Sequence, residues 1–373
     1  MSSSETSHIT ATFDSFQVFK RNAHSLYDLI ISHVLCFPSL TINFPPKTTL
    51  KNDQIRVPFT FSTHTDEQNF IYQQTISLPT PQTSQAQQTI SVSSRGVFAG
   101  GYGNSDFGLI KPEFFAQIPA EANFSALSPD GEIIAVSVEN SILIFDFHSF
   151  LINQNCAPKL TLSHIVSDCF SMVFNEFQLI CGDSSGKVLI YDINSFSGEI
   201  LAQCSFGASI NGICVSPHFE NLILFVTDQG ELIFTDFKLK MLKSVLLGDV
   251  IEDFVGTSIC WSCFDNNSVT IGGNEGDIII YNIKENSARK LVKYHTGAIY
   301  QLQYSQFYDL LLAGSEDSRI TLWLGGELVF VHAGHTCCVS DARFHPTIPN
   351  LIGSVAEDNS LQFWWPSNLC FEK

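Results

Sequence analysis

The chain has 373 residues, a length that allows one large domain or two ordinary ones. Apolar residues make up 45% of the sequence and charged residues 15%, which predicts a well-buried globular protein and excludes an intrinsically disordered one. The formal net charge of −18 disfavours binding to nucleic acid or to an anionic membrane and favours basic partners, although solubility alone is also a sufficient reason for it.

The first predicted element is a helix. Residues 1–13 are polar, show no secretory signal and are expected to be disordered, whereas residues 14–36 are expected to form a long N-terminal helix. At the helical period an apolar stripe runs along this segment, formed by Phe16, Phe19, Ala23, Tyr27, Ile30 and Val34. The stripe predicts that the helix packs on a larger body, where it either covers the structure beneath it or offers one wall of a groove to a partner helix.

Residues 37–373 read as short strands separated by turns. Six stretches, from VENSILIFDF to AEDNSLQFWW, each combine a small or acidic turn, alternating apolar residues and an aromatic residue. The residue directly after this aromatic one marks the repeat, and in the six stretches it is Asp146, Asp192, Asp236, Asn282, Leu324 and Trp365. Successive markers are 46, 44, 46, 42 and 41 residues apart. The period is that of the WD40 repeat, in which each unit forms one four-stranded blade.

The predicted fold class is therefore all-β: a seven-bladed WD40 β-propeller with the long N-terminal α-helix packed on its side. The seventh blade is expected between residues 55 and 115, and the strand at residues 39–44 is expected to close the last blade. A β-sandwich with accidental spacing is the alternative, and six units at a nearly constant period disfavour it.

Several segments resemble one family of propellers. The stretch FQVFKRNAHSLYDLIISHVLCFPSLTINFPP, then THTDEQNFIYQQTISLP and GVFAGGYGN, resemble the amino-terminal signature of the histone-binding WD40 chaperones. This family includes the retinoblastoma-binding-protein and MSI-type proteins and the small subunit of chromatin assembly factor. The resemblance continues in HTGAIYQLQY and in the tail that ends in DNSLQFWW, whereas residues 125–290 match mainly as generic WD40.

This resemblance implies a function for the chain. It implies a non-enzymatic adaptor without a cofactor or metal, located in the nucleus with a further pool in the cytoplasm. The implied partners are histones H4 and H3 and the subunits of chromatin-modifying or assembly complexes. Direct contact with DNA or with a membrane is not expected.

The resemblance further implies a side groove for an amphipathic helix of histone H4, between the leading helix and the last blades. The residues at the matching positions are Leu26, Leu29, Phe330 and Leu361. Three departures weaken this groove. Ser25 replaces a large aromatic residue, Ser360 replaces a branched apolar one, and the short run 323–327 stands where the family carries an acidic, proline-containing insertion.

The second implied surface is the top of the ring, which takes basic, extended peptides such as the histone H3 tail. The matching positions are Glu121, Asn123, Asp168, Phe170, Tyr300 and Glu357. Asn211 and Ala298 stand where the family has glutamates, so the acidic ring is thinner here. Carboxylates around a central opening attract and orient Arg and Lys side chains, and aromatic rings stack on them.

The remaining motifs predict structure. Cys260–Cys263 is a CxxC motif, but no second pair follows at the spacing of a zinc site. The HAGH stretch at residues 332–335 is interpreted as a source of structural histidines, with Asp317 and Asp358 as carboxylate partners within their blades. The alternative function is a WD40 scaffold that binds no histones, for example a ribosome-assembly-type propeller with a similar amino-terminal segment. The short turn at Gly325–Gly326 and Ser25 favour that alternative.

Overall fold

The protein is described by a computed structural model over residues 3–51, 54–79, 92–93, 96–97, 108–109, 114–147, 156–249 and 251–367. The chain starts with helix α1 (Ser3–Leu26), which is followed directly by strand β1 (Tyr27–Val34). The next strands along the chain are β2 (Ile42–Asn43), β3 (Thr49–Lys51), β4 (Gln54–Ser62), β5 (Asn69–Pro79), β6 (Val92–Ser93), β7 (Gly96–Val97), β8 (Gly108–Leu109) and β9 (Phe114–Ile118).

The later strands come in groups of four. They are β10 (Phe124–Leu127), β11 (Ile133–Val138), β12 (Ser141–Asp146) and β13 (Leu160–Leu162); β14 (Ser171–Asn175), β15 (Gln178–Gly182), β16 (Lys187–Asp192) and β17 (Glu199–Ser205); and β18 (Ile210–Val215), β19 (Ile223–Thr227), β20 (Glu231–Thr235) and β21 (Met241–Leu246). They continue with β22 (Gly256–Trp261), β23 (Ser268–Gly273), β24 (Ile278–Asn282) and β25 (Ser287–Lys290); β26 (Ile299–Tyr304), β27 (Leu310–Ser315), β28 (Ile320–Leu324) and β29 (Glu327–His332); and β30 (Val339–Phe344), β31 (Ile352–Ala356) and β32 (Ser360–Pro366). Single 3₁₀ turns lie at Asn194–Phe196 and Leu247–Asp249.

Over the described ranges these strands form seven antiparallel blades. Blade 1 contains β2, β4, β5 and β9, blades 2 to 6 each take four consecutive strands, and blade 7 has the order β1-β32-β31-β30. The innermost strands contact one another in turn from β2 through β10, β14, β18, β22 and β26 to β30, and β30 contacts β2. The ring is therefore closed, and the prediction of a seven-bladed propeller is confirmed.

The closure of the ring differs from the sequence prediction. The expected closing strand at residues 39–44 contacts the last blade but is not one of its strands, because β2 within it pairs with β4 as the innermost strand of blade 1. The outer strand of blade 7 is β1, which runs antiparallel to β32 with Tyr27 opposite Pro366 and Val34 opposite Ser360. A strand from the start of the chain does complete the last blade, but it comes earlier in the sequence than predicted.

The bounds predicted for the helix were also wrong. It begins at Ser3, within the segment expected to be disordered, and it ends at Leu26 instead of residue 36. The reason lies in β1, which is buried on two faces. Tyr27 and Ile30 pack into the core between blades 6 and 7, whereas Leu29 packs into the core between blades 7 and 1. A surface helix buries a single stripe, but an extended strand presents side chains to two opposite sides and can fill both cores. A register shift between Tyr27 and Leu29 places these two side chains in different cores.

The apolar stripe itself is largely confirmed. Phe19, Ala23, Tyr27 and Ile30 are all buried in the core between blades 6 and 7, with Phe16 packed against them. Val34 is the exception, because it lies at the far end of β1 and is 79% exposed. The helix thus covers the seam between the last two blades and leads the chain into the strand that completes the ring.

Histidine networks stabilise the last two blades, as the sequence predicted. In blade 6, His295 Nδ1 lies 3.0 Å from Asp317 Oδ2 and His295 Nε2 lies 2.7 Å from Thr321 Oγ1, which also accepts the indole N–H of Trp323. These groups are buried together, so each polar atom has its partner within the blade.

Blade 7 carries a variant of the same network. His335 contacts the hydroxyls of Ser354 at 2.8 Å and Ser360 at 2.6 Å, and Ser360 stands between the imidazole and the carboxylate of Asp358. His332, the other histidine of the HAGH stretch, instead contacts the Tyr27 hydroxyl through Nδ1 at 2.8 Å. One histidine therefore holds the blade together, and the other ties it to β1.

The pH dependence of stability should reflect the buried histidines. Nδ1 of His345 accepts the backbone N–H groups of Thr347 and Ile348, and burial lowers the pKa of His345 to about 4. Burial also lowers the pKa of His33 to about 4. The unfolded chain binds these protons below a pH of about 6.5, so stability is lost as the pH falls from about 6.5 through 4, on the order of 3 kcal/mol for His345 alone.

The replacement His345→Asn isolates this contribution. An asparagine oxygen accepts the same two N–H groups but does not titrate. Urea unfolding at pH 7 and pH 5 should show a smaller loss of stability in the variant than in the parent chain. Equal losses in the two proteins would contradict the assignment.

Candidate functional site

The ring encloses a central channel that contains a cavity of about 600 Å³. One end of the channel is formed by the loops that precede the innermost strands and by the turns between the second and third strands of each blade. We call this end the top face. Four of the predicted top-face residues line the cavity, namely Asn123, Phe170, Tyr300 and Glu357. The structure therefore gathers around one opening residues that are far apart in the sequence.

Blades 2 and 3 contribute a linked group to the top face. The side-chain amide of Asn123 donates a hydrogen bond of 3.1 Å to Asp168 Oδ1, which connects the two loops that lead into β10 and β14. The ring of Phe170, two residues further on, is 48% exposed. An ordered carboxylate beside an exposed aromatic ring suits the recognition of an arginine or lysine side chain.

Glu121 is positioned by the THTDEQN motif. Asn69 folds this segment into a compact turn, since its side chain accepts the N–H of Thr65 and donates to the Thr65 carbonyl. The turn places His64 beside Glu121, with Nδ1 and Oε2 2.8 Å apart. The motif thus orders a top-face carboxylate that would otherwise be mobile in a loop.

Tyr300 lies among the acidic groups of blades 6 and 7. It is 46% exposed, and its pKa is raised to about 12 by partial burial and by the nearby Glu316, Cys338 and Glu357. At neutral pH the phenol therefore stays protonated, keeps its donor hydrogen and adds no charge of its own. Its ring offers an apolar surface within the acidic rim.

Glu316 is a functional candidate that the sequence reasoning missed. The backbone N–H of Ala298 lies 3.3 Å from its carboxylate Oε2. Position 298 is one where the resemblance called for a glutamate. A carboxylate from the neighbouring turn thus replaces the one that Ala298 lacks. The repeat pattern contained the signal, because SEDS at Glu316 and AEDN at Glu357 are equivalent turns in adjacent blades.

Two of the predicted side-groove residues lie in the wrong place for contact with a partner. Leu29 and Leu361 are fully buried in the core between blades 7 and 1, so neither forms a surface. Phe330 is 5% exposed and packs edge-on against Tyr27, at a ring-centroid distance of 5.2 Å. The register of β1 against β32 turns Leu29 inward.

Leu26 is the member of the predicted set that remains at the surface of the side. It is half-buried at the end of α1 and packs on the core between blades 6 and 7. Leu324 and Val329 of blade 6 are half-buried against the same core. We call these three residues the side patch. Sequence reasoning did not single out Leu324 and Val329, although the repeat period placed both on strands of blade 6.

The two cysteines of the motif at residues 260–263 lie in different surroundings. Cys260 is buried in β22, whereas Cys263 is exposed beyond the end of that strand. Burial raises the pKa of the Cys260 thiol well above its usual range, which keeps it protonated.

In the described part of the chain, no helix is both long and apolar enough to cross a membrane.

Comparison with known proteins agrees with this architecture. The family model for the histone-binding protein RBBP4 and the corresponding component of the CAF1 complex matches residues 14–80, and the "WD domain, G-beta repeat" model matches residues 287–323 and 326–364. The chain is similar to histone acetyltransferase type B subunit 2 of Candida glabrata, with 21% identity over 94% of this chain and 88% of the relative. It is also similar to histone-binding protein MSI1 of Saccharomyces cerevisiae, with 24% identity over 95% of this chain and 94% of the relative. The chain is therefore similar over nearly its whole length to proteins that carry these names, and its first part matches a histone-binding family model.

The match at residues 14–80 covers the first part of the chain, up to and including strand β5 of blade 1. It includes most of α1, the closing strand β1 and the turn around Asn69. These elements form the side of the ring at blade 7 and order Glu121 on the top face. The family-specific segment therefore contributes to both candidate surfaces.

The hairpin turn that follows Leu324 of the side patch is short. Gly325 and Gly326 alone join β28 to β29, with Leu324 opposite Glu327. Both glycines have positive φ angles, 56° and 88°, as a tight two-residue hairpin turn requires. The acidic insertion expected here is replaced by this turn, so the side patch has the helix on one side and the bare edge of blade 6 on the other.

Proposed function

We propose that this protein is a histone-binding adaptor of chromatin assembly, modification or remodelling complexes. One observation carries the proposal: four blades bring a carboxylate, an amide and two aromatic rings to the lining of a single channel, and these residues are Asn123, Phe170, Tyr300 and Glu357. Asp168 is hydrogen-bonded to Asn123, and Glu121 lies in the loop that leads into β10. The match to the histone-binding family model at residues 14–80 and the net charge of −18 support it.

The top face is proposed to bind basic, extended peptides such as the histone H3 tail. An arginine or lysine side chain would enter between Asp168 and Phe170, or between Glu357 and Tyr300, and would gain a charge-assisted hydrogen bond together with a stacked ring. The acidic surface would also steer a basic partner towards the channel, so association should slow as the salt concentration rises.

The side patch is proposed to bind an amphipathic helix of histone H4. Leu26, Leu324 and Val329 offer a small apolar surface beside α1, which suits the apolar face of a helix. Because the turn at Gly325–Gly326 supplies no carboxylates, the arginines of the partner lose charge-assisted hydrogen bonds worth a few kcal/mol. We therefore expect the side patch to bind more weakly than the top face.

The further cellular role follows from this adaptor function. We propose a nuclear location, partners among the subunits of chromatin complexes, and no catalytic activity of the chain itself. The two relatives are named as a histone acetyltransferase subunit and a histone-binding protein, which supports a role beside an enzyme.

Calorimetric titration at physiological salt tests the proposal directly. The purified chain would be titrated separately with a peptide of the first H4 helix and with an H3 tail peptide. Micromolar or tighter binding of the H3 tail is expected, with weaker binding of the H4 helix. Absence of binding to both peptides would overturn the proposal.

The variant Leu26→Asp tests the side patch. We expect it to weaken H4-helix binding at least tenfold, because it places an unpaired charge in the apolar contact, while H3-tail binding stays unchanged. His24→Asp is the matched control, since His24 lies on the same helix turn and is exposed. Thermal unfolding of both variants separates a binding effect from a folding effect, and equal H4 affinities in the two would remove Leu26 from the site.

A second candidate function is a propeller scaffold whose partners are not histones. The two-residue turn at Gly325–Gly326 and the small Ser25 favour it, because both reduce the side groove. The same titrations separate the candidates. If the chain binds neither histone peptide yet copurifies with defined partners, the scaffold function replaces the histone-binding one.

A further inference from the structure

Two adjacent cysteines lie at the rim of the channel, in the loop before β30. Cys337, Cys338 and the exposed Glu357 present one donor atom each, two sulfurs and a carboxylate oxygen, and these atoms all lie within 4.8 Å of one another. Cys337 Sγ is 3.7 Å from Glu357 Oε2. Both thiols are half-buried, so an ion between the three groups would keep one side open to solvent.

The protein backbone fixes the two halves of this cluster against each other. The N–H of Glu357 donates a 3.0 Å hydrogen bond to the carbonyl of Cys338. On the other side, the N–H and hydroxyl of Thr336 both donate to Asp358 Oδ2, at 2.6 and 2.9 Å. The loop with the two thiols and the turn with the carboxylate are thus tied at residues that flank the donors, which limits the ordering cost of binding an ion.

We propose that Cys337, Cys338 and Glu357 form a binding site for a thiophilic divalent cation of the Zn²⁺ class. Thiolate sulfur and carboxylate oxygen are ligands of Zn²⁺, and three protein ligands leave a fourth position for water or a ligand group. Each thiol that binds the ion releases its proton to the buffer.

The electrostatics of the rim fit a cation at this position. The exposed carboxylate of Glu357 contributes a donor atom to the cluster, and the exposed Glu316 lies in the equivalent turn of blade 6. A divalent cation would therefore meet negative charge on this part of the rim. Cys36 and Cys263, the exposed thiols elsewhere in the described chain, are not part of any such donor group there.

Titration of the reduced, full-length protein with Co²⁺ tests this site, because Co²⁺ bound to thiolate gives sulfur-to-metal charge-transfer absorption in the near ultraviolet. We expect one equivalent of Co²⁺ to saturate the band and Zn²⁺ to displace it. Cys337→Ser and Cys338→Ser should lose most of the band, and Glu357→Gln should weaken binding about tenfold. Cys36→Ser and Cys263→Ser are the matched controls and should leave it unchanged.

Two outcomes would overturn the site. One is a parent protein that shows no charge-transfer band at one equivalent of Co²⁺. The other is a band that survives in Cys338→Ser or disappears in the control variants. Cys338→Ala provides a second replacement if the serine variant unfolds early, as judged by its thermal transition. A bound ion and a basic peptide would both use Glu357, and this competition rests on the proposed function. The Co²⁺ titration tests the site independently of that function.

Discussion

Replacing Leu29 by aspartate should open the ring and cost more than about 4 kcal/mol of unfolding free energy. Leu29 is fully buried between blades 7 and 1, opposite Trp365 in the pairing of β1 with β32. The substitution removes a large apolar side chain from a packed core and introduces a carboxylate that has no partner there. Both effects act on the strand that completes the last blade.

Val34→Asp is the matched control for this prediction. Val34 lies on the same strand, and the substitution adds the same charge, but its side chain is 79% exposed. We expect a change within about 0.5 kcal/mol. Urea unfolding followed by tryptophan fluorescence measures both variants. If Leu29→Asp were as stable as Val34→Asp, β1 would not be the closing strand.

This result also bears on how binding data are interpreted. Loss of histone binding in Leu29→Asp would reflect an open ring and would not locate the groove. Leu26→Asp is the informative substitution for the side patch, because Leu26 is only half-buried.

The double charge reversal Glu121→Lys and Glu357→Lys should weaken H3-tail binding about a hundredfold or more. Each carboxylate offers a charge-assisted hydrogen bond worth roughly 1.5–3 kcal/mol, and each lysine adds repulsion against a basic peptide. Binding of the H4 helix to the side patch should change little, since that surface lies on the flank of the ring. Calorimetric titration of both peptides provides the comparison.

The control for this variant is Glu176→Lys with Glu220→Lys. Both residues are exposed, and both lie in turns between the first and second strands of their blades, at the end of the ring opposite the top face. The control carries the same change in net charge. If it weakened H3-tail binding as much as the top-face variant, general electrostatics would explain the effect. Equal loss of both peptides in the top-face variant would contradict two separate surfaces.

The repeats could be predicted from the sequence because each carries its signal locally. The third strand of every later blade combines alternating apolar residues with an aromatic residue at a regular period, and β12, β16, β20, β24, β28 and β32 all lie where that signal placed them. The end of the helix could not be predicted in this way. Phe19, Ala23, Tyr27 and Ile30 keep helical spacing across it, and only pairing with the distant β32 makes Tyr27–Val34 extended.

The candidate site shows the same division. The top-face positions were predicted because they lie in loops at fixed places in the repeat, and four of them line the channel. The side groove was predicted less well, because the orientation of Leu29 depends on the tertiary register of β1. To find Glu316 from the sequence, its turn must be compared with the equivalent turn at Glu357. Matching single positions to the family does not make that comparison.

The way in which the ring is closed affects how the protein folds during translation. The N–H of Ser367 donates a hydrogen bond to the carbonyl of Leu26, and β1 pairs with β32, so α1 and β1 find these partners only after the last blade has been synthesised. Contacts of such long sequence separation form late and slowly. Until then the amphipathic helix α1 remains uncovered, a target for the chaperones that attend nascent chains. A nascent chain that still lacks blade 7 offers neither the side patch nor a complete acidic rim, so the proposed histone binding requires a closed ring.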